Sequence, residues 1–255
     1  MTKTDALPRP PLPALADCAL FLDFDGTLVE LAETPDAIEP DPGLPALLAA
    51  LHAATGGAMA LVTGRGVDDL LRHLPGFPGT IVGGHGAERR HEGARESHPA
   101  ATGETLAQAT DALHDFAEGR DGLLVEEKAT GTVLHYRRAP EREAEVQDEV
   151  SRLAEAHPEF ERHDSKMAAE LRPSGIGKDK AILALMERAP FAGRRPIFAG
   201  DDTTDEPALA WVAARGGLSI RVGGGATNAT SALSDPAEMR AELARWLAAT
   251  EETDP

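Results

Sequence analysis

The chain has 255 residues, 42% of them hydrophobic, and 43 acidic residues against 25 basic ones give it a formal charge of −18. That is enough apolar material for a large core, and the charge repels nucleic acid and anionic membrane surfaces. A lone cysteine, Cys18, excludes an intrachain disulfide and a cysteine-cluster zinc site and reads as a small core residue.

Residues 1–16 carry Pro8, Pro10, Pro11 and Pro13 and read as a flexible, extended arm. The run Cys18-Ala19-Leu20-Phe21-Leu22 is apolar on both faces, the pattern of a buried parallel strand. It breaks into Asp23-Phe24-Asp25-Gly26-Thr27. Residues i and i+2 leave a strand on the same side, so Asp23 and Asp25 can face one site, and Gly26 supplies the sharp exit. One carboxylate could serve as nucleophile and the other as acid and base; two solvated acids at a strand end fit the same pattern.

Alternation follows: a helix over 43–54, a strand over 58–62, a helix over 67–73 and a strand over 80–82 predict a parallel sheet. The register changes near Glu104. A helix over 104–118, strands over 122–127 and 132–137, a helix over 141–156 and strands over 159–162 and 167–171 read αββαββ, a small α+β unit. Alternation then returns with a helix over 178–188, a strand over 196–199, a helix over 206–214, a strand over 218–222 and a helix from Pro236 to residue 248. The expected domains are therefore a core of 17–103 and 173–255 with 104–172 inserted.

Three further core stretches carry polar groups where ligands bind in open α/β sheets. Thr63-Gly64-Arg65 follows a strand and opens a helix, placing a hydroxyl and backbone N–H groups where an anion would sit, as an ordinary N-cap also would. Gly200-Asp201-Asp202-Thr203-Thr204-Asp205-Glu206 concentrates acids that repel one another unless a cation is present. Magnesium takes such oxygen ligands, and Asp23, Asp201 and a backbone carbonyl would suffice. Lys178 opens a helix after Gly175 and Gly177, where an ammonium could neutralise nucleophile and phosphate. Lysine is rare in this arginine-rich chain, so a compact ammonium at that position is informative. Gly223-Gly224-Gly225 lacks the lysine and helix of a P-loop and reads as a flexible strand exit.

D-x-D-G-T, T-G-R, a helix-opening lysine and G-D-D-x-x-D, in that order, resemble the haloacid dehalogenase superfamily of phosphatases and phosphotransferases. The resemblance implies a Rossmann-like core with an inserted α/β cap. It makes Asp23 the nucleophile, Asp25 the acid and base, Thr63 and Lys178 the phosphate ligands, and Asp201 a metal ligand. Magnesium is the implied cofactor, with Asp23, Asp25 and Asp201 around it and Asp202 and Asp205 behind them. Gly84-His85-Gly86-Ala87-Glu88, Val125-Glu126-Glu127-Lys128, His135-Tyr136-Arg137 and Glu170-Leu171-Arg172-Pro173 are similar to motifs of the trehalose-6-phosphate phosphatases.

That family implies hydrolysis of trehalose 6-phosphate through an aspartyl phosphate, with Arg65, His85, Glu126, Lys128, Glu170, Arg172 and Glu206 as sugar ligands. Thr63 stands where the family usually has serine, and Asp179 replaces a glycine after the motif lysine, which leaves Lys180 as a competitor of Lys178. Phosphatases of sucrose 6-phosphate or mannosyl-3-phosphoglycerate, a phosphomannomutase-like transferase and a non-catalytic sugar-phosphate sensor share the core motifs. No apolar stretch approaches the ~20 residues of a membrane span, so cytoplasmic residence without a membrane partner is expected. The resemblance implies a small sugar phosphate as partner, the acidic charge implies no nucleic acid, and a monomer is expected.

Overall fold

In a computed structural model, residues 2–4, 7–32, 37–128, 130–165 and 167–251 are described. The chain divides into two units, 1–95 with 177–255 and 96–176.

The first unit is built on the apolar runs. Its sheet places Cys18–Leu22 at the centre, with Arg195–Gly200, Leu218–Val222 and Ser231–Leu233 on one side. Met59–Val62, Thr80–Gly83, Glu88–His91 and Ala94–Ser97 follow on the other. The six strands from Ser231–Leu233 to Thr80–Gly83 pair in parallel, and Glu88–His91 turns back antiparallel.

Alternate residues of these strands enter two apolar layers, so the sheet is covered on both faces. Leu20, Leu22, Leu61 and Ile197 pack with Leu48 and Leu51 of helix Leu44–Ala54 and with Leu243 and Trp246 of helix Pro236–Glu251. Phe21, Val62 and Phe198 pack with Ile182 and Leu185 of helix Lys178–Met186 and with Leu209 and Val212 of helix Glu206–Ala214. Burial on both faces is why the strands read as unbroken apolar runs. Because Cys18–Leu22 and Arg195–Gly200 run parallel, their exits, with Asp23 and Asp201 on them, lie at one edge of the sheet.

The second unit has an antiparallel sheet in the order Leu124–Lys128, Gly131–His135, Ala168–Pro173, Phe160–Ser165. Helices Glu104–Ala117 and Glu143–Ala156 supply Leu113, Val146, Val150 and Leu153 to a core with Leu134, Phe160, Ala169 and Leu171. Val146, Val150 and Leu153 fall on one helical stripe. Glu126, Val133, Glu170 and His163 form a row on the alternate face of the same sheet.

Three expectations change. Unit boundaries fall at 95/96 and 176/177 rather than 103/104 and 172/173, because the turn Pro99–Ala101 buries Ala101 and contacts strand Ala168–Pro173. The described part of 1–16 is not a free arm. Thr2–Lys3 pairs with Ala226–Thr227, Pro8 O accepts from Ala232 N at 3.2 Å, and Pro10 O accepts from Arg245 Nη2 at 3.1 Å. Proline lacks the N–H for a ladder but keeps its carbonyl as an acceptor, which is how this stretch attaches. Finally, the sheet gains Glu88–His91, Ala94–Ser97 and Ser231–Leu233, which lack an apolar run long enough to announce a strand. Among the described residues no helix is long and apolar enough to cross a membrane.

Candidate active site

Asp23 leaves the central strand with its N–H donated to Ala199 O at 2.9 Å, and its side chain is nearly buried. Lys178, on the first turn of helix Lys178–Met186, places Nζ 2.7 Å from Asp23 Oδ1 and 2.6 Å from Asp205 Oδ1. Asp205 Oδ2 accepts the N–H groups of Asp201 and Asp202, both at 3.0 Å. The loop after strand Arg195–Gly200 is thus folded around the Asp205 carboxylate.

Gly26 and Gly200 are required by this crowding. Gly26 has φ of +74°, and a Cβ there would lie 2.0 Å from Asp201 Oδ2; one at Gly200 would lie 2.5 Å from Asp205 Cγ. Thr27 Oγ1 lies 3.3 Å from Asp201 Oδ1 and 3.5 Å from Asp23 Oδ2, bridging the two exits.

One ligand oxygen from each of Asp23, Asp201 and Asp205 lies within 4.8 Å of the other two. Three carboxylates face a single ammonium, so the cluster is short of positive charge. Burial pushes the Asp23 carboxyl well above its usual range; Lys178 opposes this, while Asp205 and Asp201 add to it. Burial, with Asp205 beside it, lifts Asp201 to about 6. Burial works against the Lys178 charge, but Asp23 and Asp205 outweigh it and hold the ammonium protonated. An all-oxygen donor set with excess negative charge fits a hard divalent cation.

The structure separates Asp25 from that cluster. Its carboxylate is held by Arg65 in a bidentate pair, Nε to Oδ2 at 2.7 Å and Nη2 to Oδ1 at 2.8 Å. Arg65 Nη1 also donates to Asp69 Oδ2 at 2.8 Å and lies 3.2 Å from His73 Nε2. Asp25 and Arg65, expected as a metal ligand and a sugar ligand, are thus brought together, and the Asp25 carboxylate lies outside the three-aspartate cluster. Asp69 and His73 complete the Arg65 network from four and eight residues further on, a helical spacing that is visible in the sequence.

Thr63 is buried, and its Oγ1 accepts the Arg65 N–H at 3.1 Å. His85 has φ of 55°, and its ring lies against Gly64, where a Cβ would be 2.6 Å from Nε2. Glu88 accepts the Val67 N–H at 2.7 Å and so caps helix Val67–His73. Lys180 is exposed, which separates it from the buried Lys178. Asp202 is exposed and caps the turn Thr203–Asp205.

Glu206, expected as a sugar ligand, is engaged by Arg221 and Asn228. It is buried, and its Oε2 accepts from Asn228 N at 2.8 Å and Nδ2 at 3.0 Å while Oε1 faces Arg221.

In the second unit, Glu126, Lys128, Glu170 and Arg172 share the sheet face opposite the helices. Lys128 Nζ lies 3.4 Å from Glu170 Oε1, Glu126 Oε2 lies 2.7 Å from His135 Nε2, and Arg172 Nη2 donates to Glu161 Oε1 at 2.8 Å. His163, opposite Glu170, and Glu161, opposite Arg172, belong to the same face.

A doubly covered parallel sheet with an inserted α/β unit, and with aspartates and a lysine converging at its strand exits, is the architecture of capped haloacid dehalogenase phosphatases. The structure of such a phosphatase from Bacteroides thetaiotaomicron superimposes with a TM-score of 0.64 at 14% identity, over 93% of this chain and 97% of that one. A crystal structure described as a trehalose-6-phosphate phosphatase related protein reaches a TM-score of 0.76 at 27% identity, over 92% of this chain and 99% of that one.

The chain belongs to the trehalose-phosphatase family, whose model matches residues 21–247. A protein of Sinorhizobium fredii described as a probable trehalose-phosphate phosphatase is 44% identical over 215 residues, 82% of this chain and 79% of that protein.

Proposed function

We propose that this chain is a magnesium-dependent phosphatase that converts trehalose 6-phosphate to trehalose and phosphate. The observation that carries the chemistry is Asp23: a buried carboxylate whose Oδ1 meets Lys178 at 2.7 Å, beside Asp201 and Asp205, at the exit of a central strand. The substrate rests on the family and on relatives named for trehalose phosphate.

Asp23 forms a bond to phosphorus while the bond from phosphorus to the sugar 6-oxygen breaks, giving an aspartyl phosphate. Asp25, turned from Arg65, gives the departing oxygen its proton. It then takes a proton from the water that cleaves the acyl phosphate and regenerates Asp23. Lys178 and the Thr63 hydroxyl hold phosphate oxygens, supplying the positioning and charge compensation that phosphoryl transfer needs. Magnesium would be held by Asp23 and Asp201, with Asp205 beside them, and would offset charge on the transferring group. His85, Glu126, Lys128, Glu170 and Arg172 are the proposed sugar ligands, offering donors and acceptors to hydroxyls.

Phosphate release is measured with magnesium across trehalose 6-phosphate, sucrose 6-phosphate, mannosyl-3-phosphoglycerate and glucose 6-phosphate. Trehalose 6-phosphate is expected to exceed the others in kcat/KM by on the order of 10²-fold or more, as hydrogen-bonding sites discriminate. Comparable rates on glucose 6-phosphate overturn the substrate and spare the chemistry. No release from any of them overturns both.

A further inference from the structure

Strand Leu218–Val222 places a charged residue, Arg221, in a fully buried run. Its register partner on the neighbouring parallel strand is Gly200, the residue before Asp201. The Arg221 guanidinium donates from Nη1 to Asp202 O at 2.9 Å and from Nη2 to Gly224 O at 3.3 Å, and Nη1 lies 3.4 Å from Glu206 Oε1. Glu206 Oε2 in turn accepts both Asn228 donors. Arg221 Nε is buried without a hydrogen-bond partner.

Burying an arginine with one donor unsatisfied costs stability, and an apolar side chain of similar length would seat more cheaply in this sheet. What the arginine does that an apolar residue cannot is join two strand exits. One is the acidic loop, whose Asp201 and Asp202 N–H groups are fixed on Asp205 and whose Asp202 carbonyl accepts the Asp205 N–H at 3.2 Å from within the loop and Arg221 Nη1 at 2.9 Å from outside it. The other is Gly223–Gly225, which has no side chains of its own, with Gly223 and Gly225 at φ of +78° and +117°. Glu206 orients the guanidinium and ties it to Asn228 beyond the glycines.

We propose that the buried Arg221–Glu206 pair is a positioning device for the cation site: by clamping the Asp202 carbonyl it holds Asp201 in register with Asp23, and so sets the affinity of the three-aspartate cluster for a divalent ion. Groups behind metal ligands typically change metal affinity 10- to 100-fold when removed. The inference rests on the reading of Asp23, Asp201 and Asp205 as a cation site.

Mn2+ binding is measured by electron paramagnetic resonance on folded protein, well below the unfolding temperature, for wild type, Arg221→Met, Arg221→Lys, Glu206→Gln and Asp201→Asn. The expected result is a Kd for Mn2+ raised roughly 10-fold or more in Arg221→Met, a smaller rise in Glu206→Gln, and partial recovery in Arg221→Lys. The magnesium concentration needed for half-maximal phosphate release should rise in the same order.

A buried pair that only stabilises the fold would lower Tm and leave the Mn2+ Kd within twofold of wild type in every folded variant, and that result overturns the proposal. If Arg221→Met does not fold, Glu206→Gln and Arg221→Lys decide on the same criterion. Wild type binding Mn2+ no better than Asp201→Asn overturns the cation site itself, an outcome distinct from failure of the clamp.

Discussion

Lys178 lies between two buried carboxylates, and removing it leaves both without their ammonium. Breaking a buried pair by deleting one partner costs about 3–5 kcal/mol, so Lys178→Ala should lower the unfolding free energy measured in urea by that order and abolish phosphate release. Lys180 is exposed, and Lys180→Ala should stay within about 0.5 kcal/mol of wild type. Equal losses from both variants would contradict the assignment. Asp23→Asn should reduce turnover by on the order of 10³-fold or more, because the nucleophile is gone while the fold remains; near-normal release by a folded variant would remove Asp23 from the chemistry. Spacing in the sequence placed Asp23 and Asp25 on one side of a strand exit, but it could not show that Arg65 would take Asp25 into a bidentate pair. Glu206 likewise reads as one more acid in an acidic loop, because its partners, Arg221 on strand Leu218–Val222 and Asn228 in the loop after Ala226–Thr227, lie well beyond it in the chain. Pairs of distant residues are set by packing, which local pattern does not encode.

Elements buried on both faces were legible because burial writes itself as a continuous apolar run or a helical stripe. Strands Glu88–His91 and Ala94–Ser97 have no buried residue, so pairing alone defines them. Helix starts were legible where a cap is local. Asp235 Oδ1 accepts the Glu238 N–H at 2.8 Å, Glu238 Oε2 accepts the Ser234 N–H at 2.7 Å, and Pro236 opens helix Pro236–Glu251. The hydrogen bond from the Glu238 N–H, with the Ser234 hydroxyl, holds the Asp235 carboxyl below its usual value. The Ser234 N–H and hydroxyl hold Glu238 below its own. Carboxyls with depressed folded values bind fewer protons folded than unfolded, so their contribution is present above the ordinary carboxylate range and lost as pH falls through the depressed values. Asp235→Ala should therefore lower the urea midpoint at pH 7, and its difference from wild type should shrink as pH is lowered from 5 toward 3. A difference that does not change with pH would show that the carboxylate's charge plays no part in the cap.

At the scale of the whole molecule, the αββαββ order revealed an inserted unit with its own core, because two helix-plus-hairpin repeats interrupt an alternating pattern. Its edges were less legible: residues 96–103 lack periodicity of their own and join the second unit through Ala101 and the turn around it. The prolines of the first 16 residues suggested a free arm since proline forms no ladder, yet their carbonyls attach the segment to the first unit. The division has a measurable consequence, because Asp23, Asp201 and Asp205 all belong to the first unit. A ligand that binds only the folded site stabilises the segments that must open with it. Magnesium should therefore slow amide exchange at Asp201 and Asp202, whose N–H groups meet Asp205, and along strand Arg195–Gly200. Exchange in strands Gly131–His135 and Ala168–Pro173 should be unchanged. Asp201→Asn should remove the difference. Equal protection of both units in wild type, or protection that survives Asp201→Asn, would mean that the ion acts elsewhere than on the three aspartates.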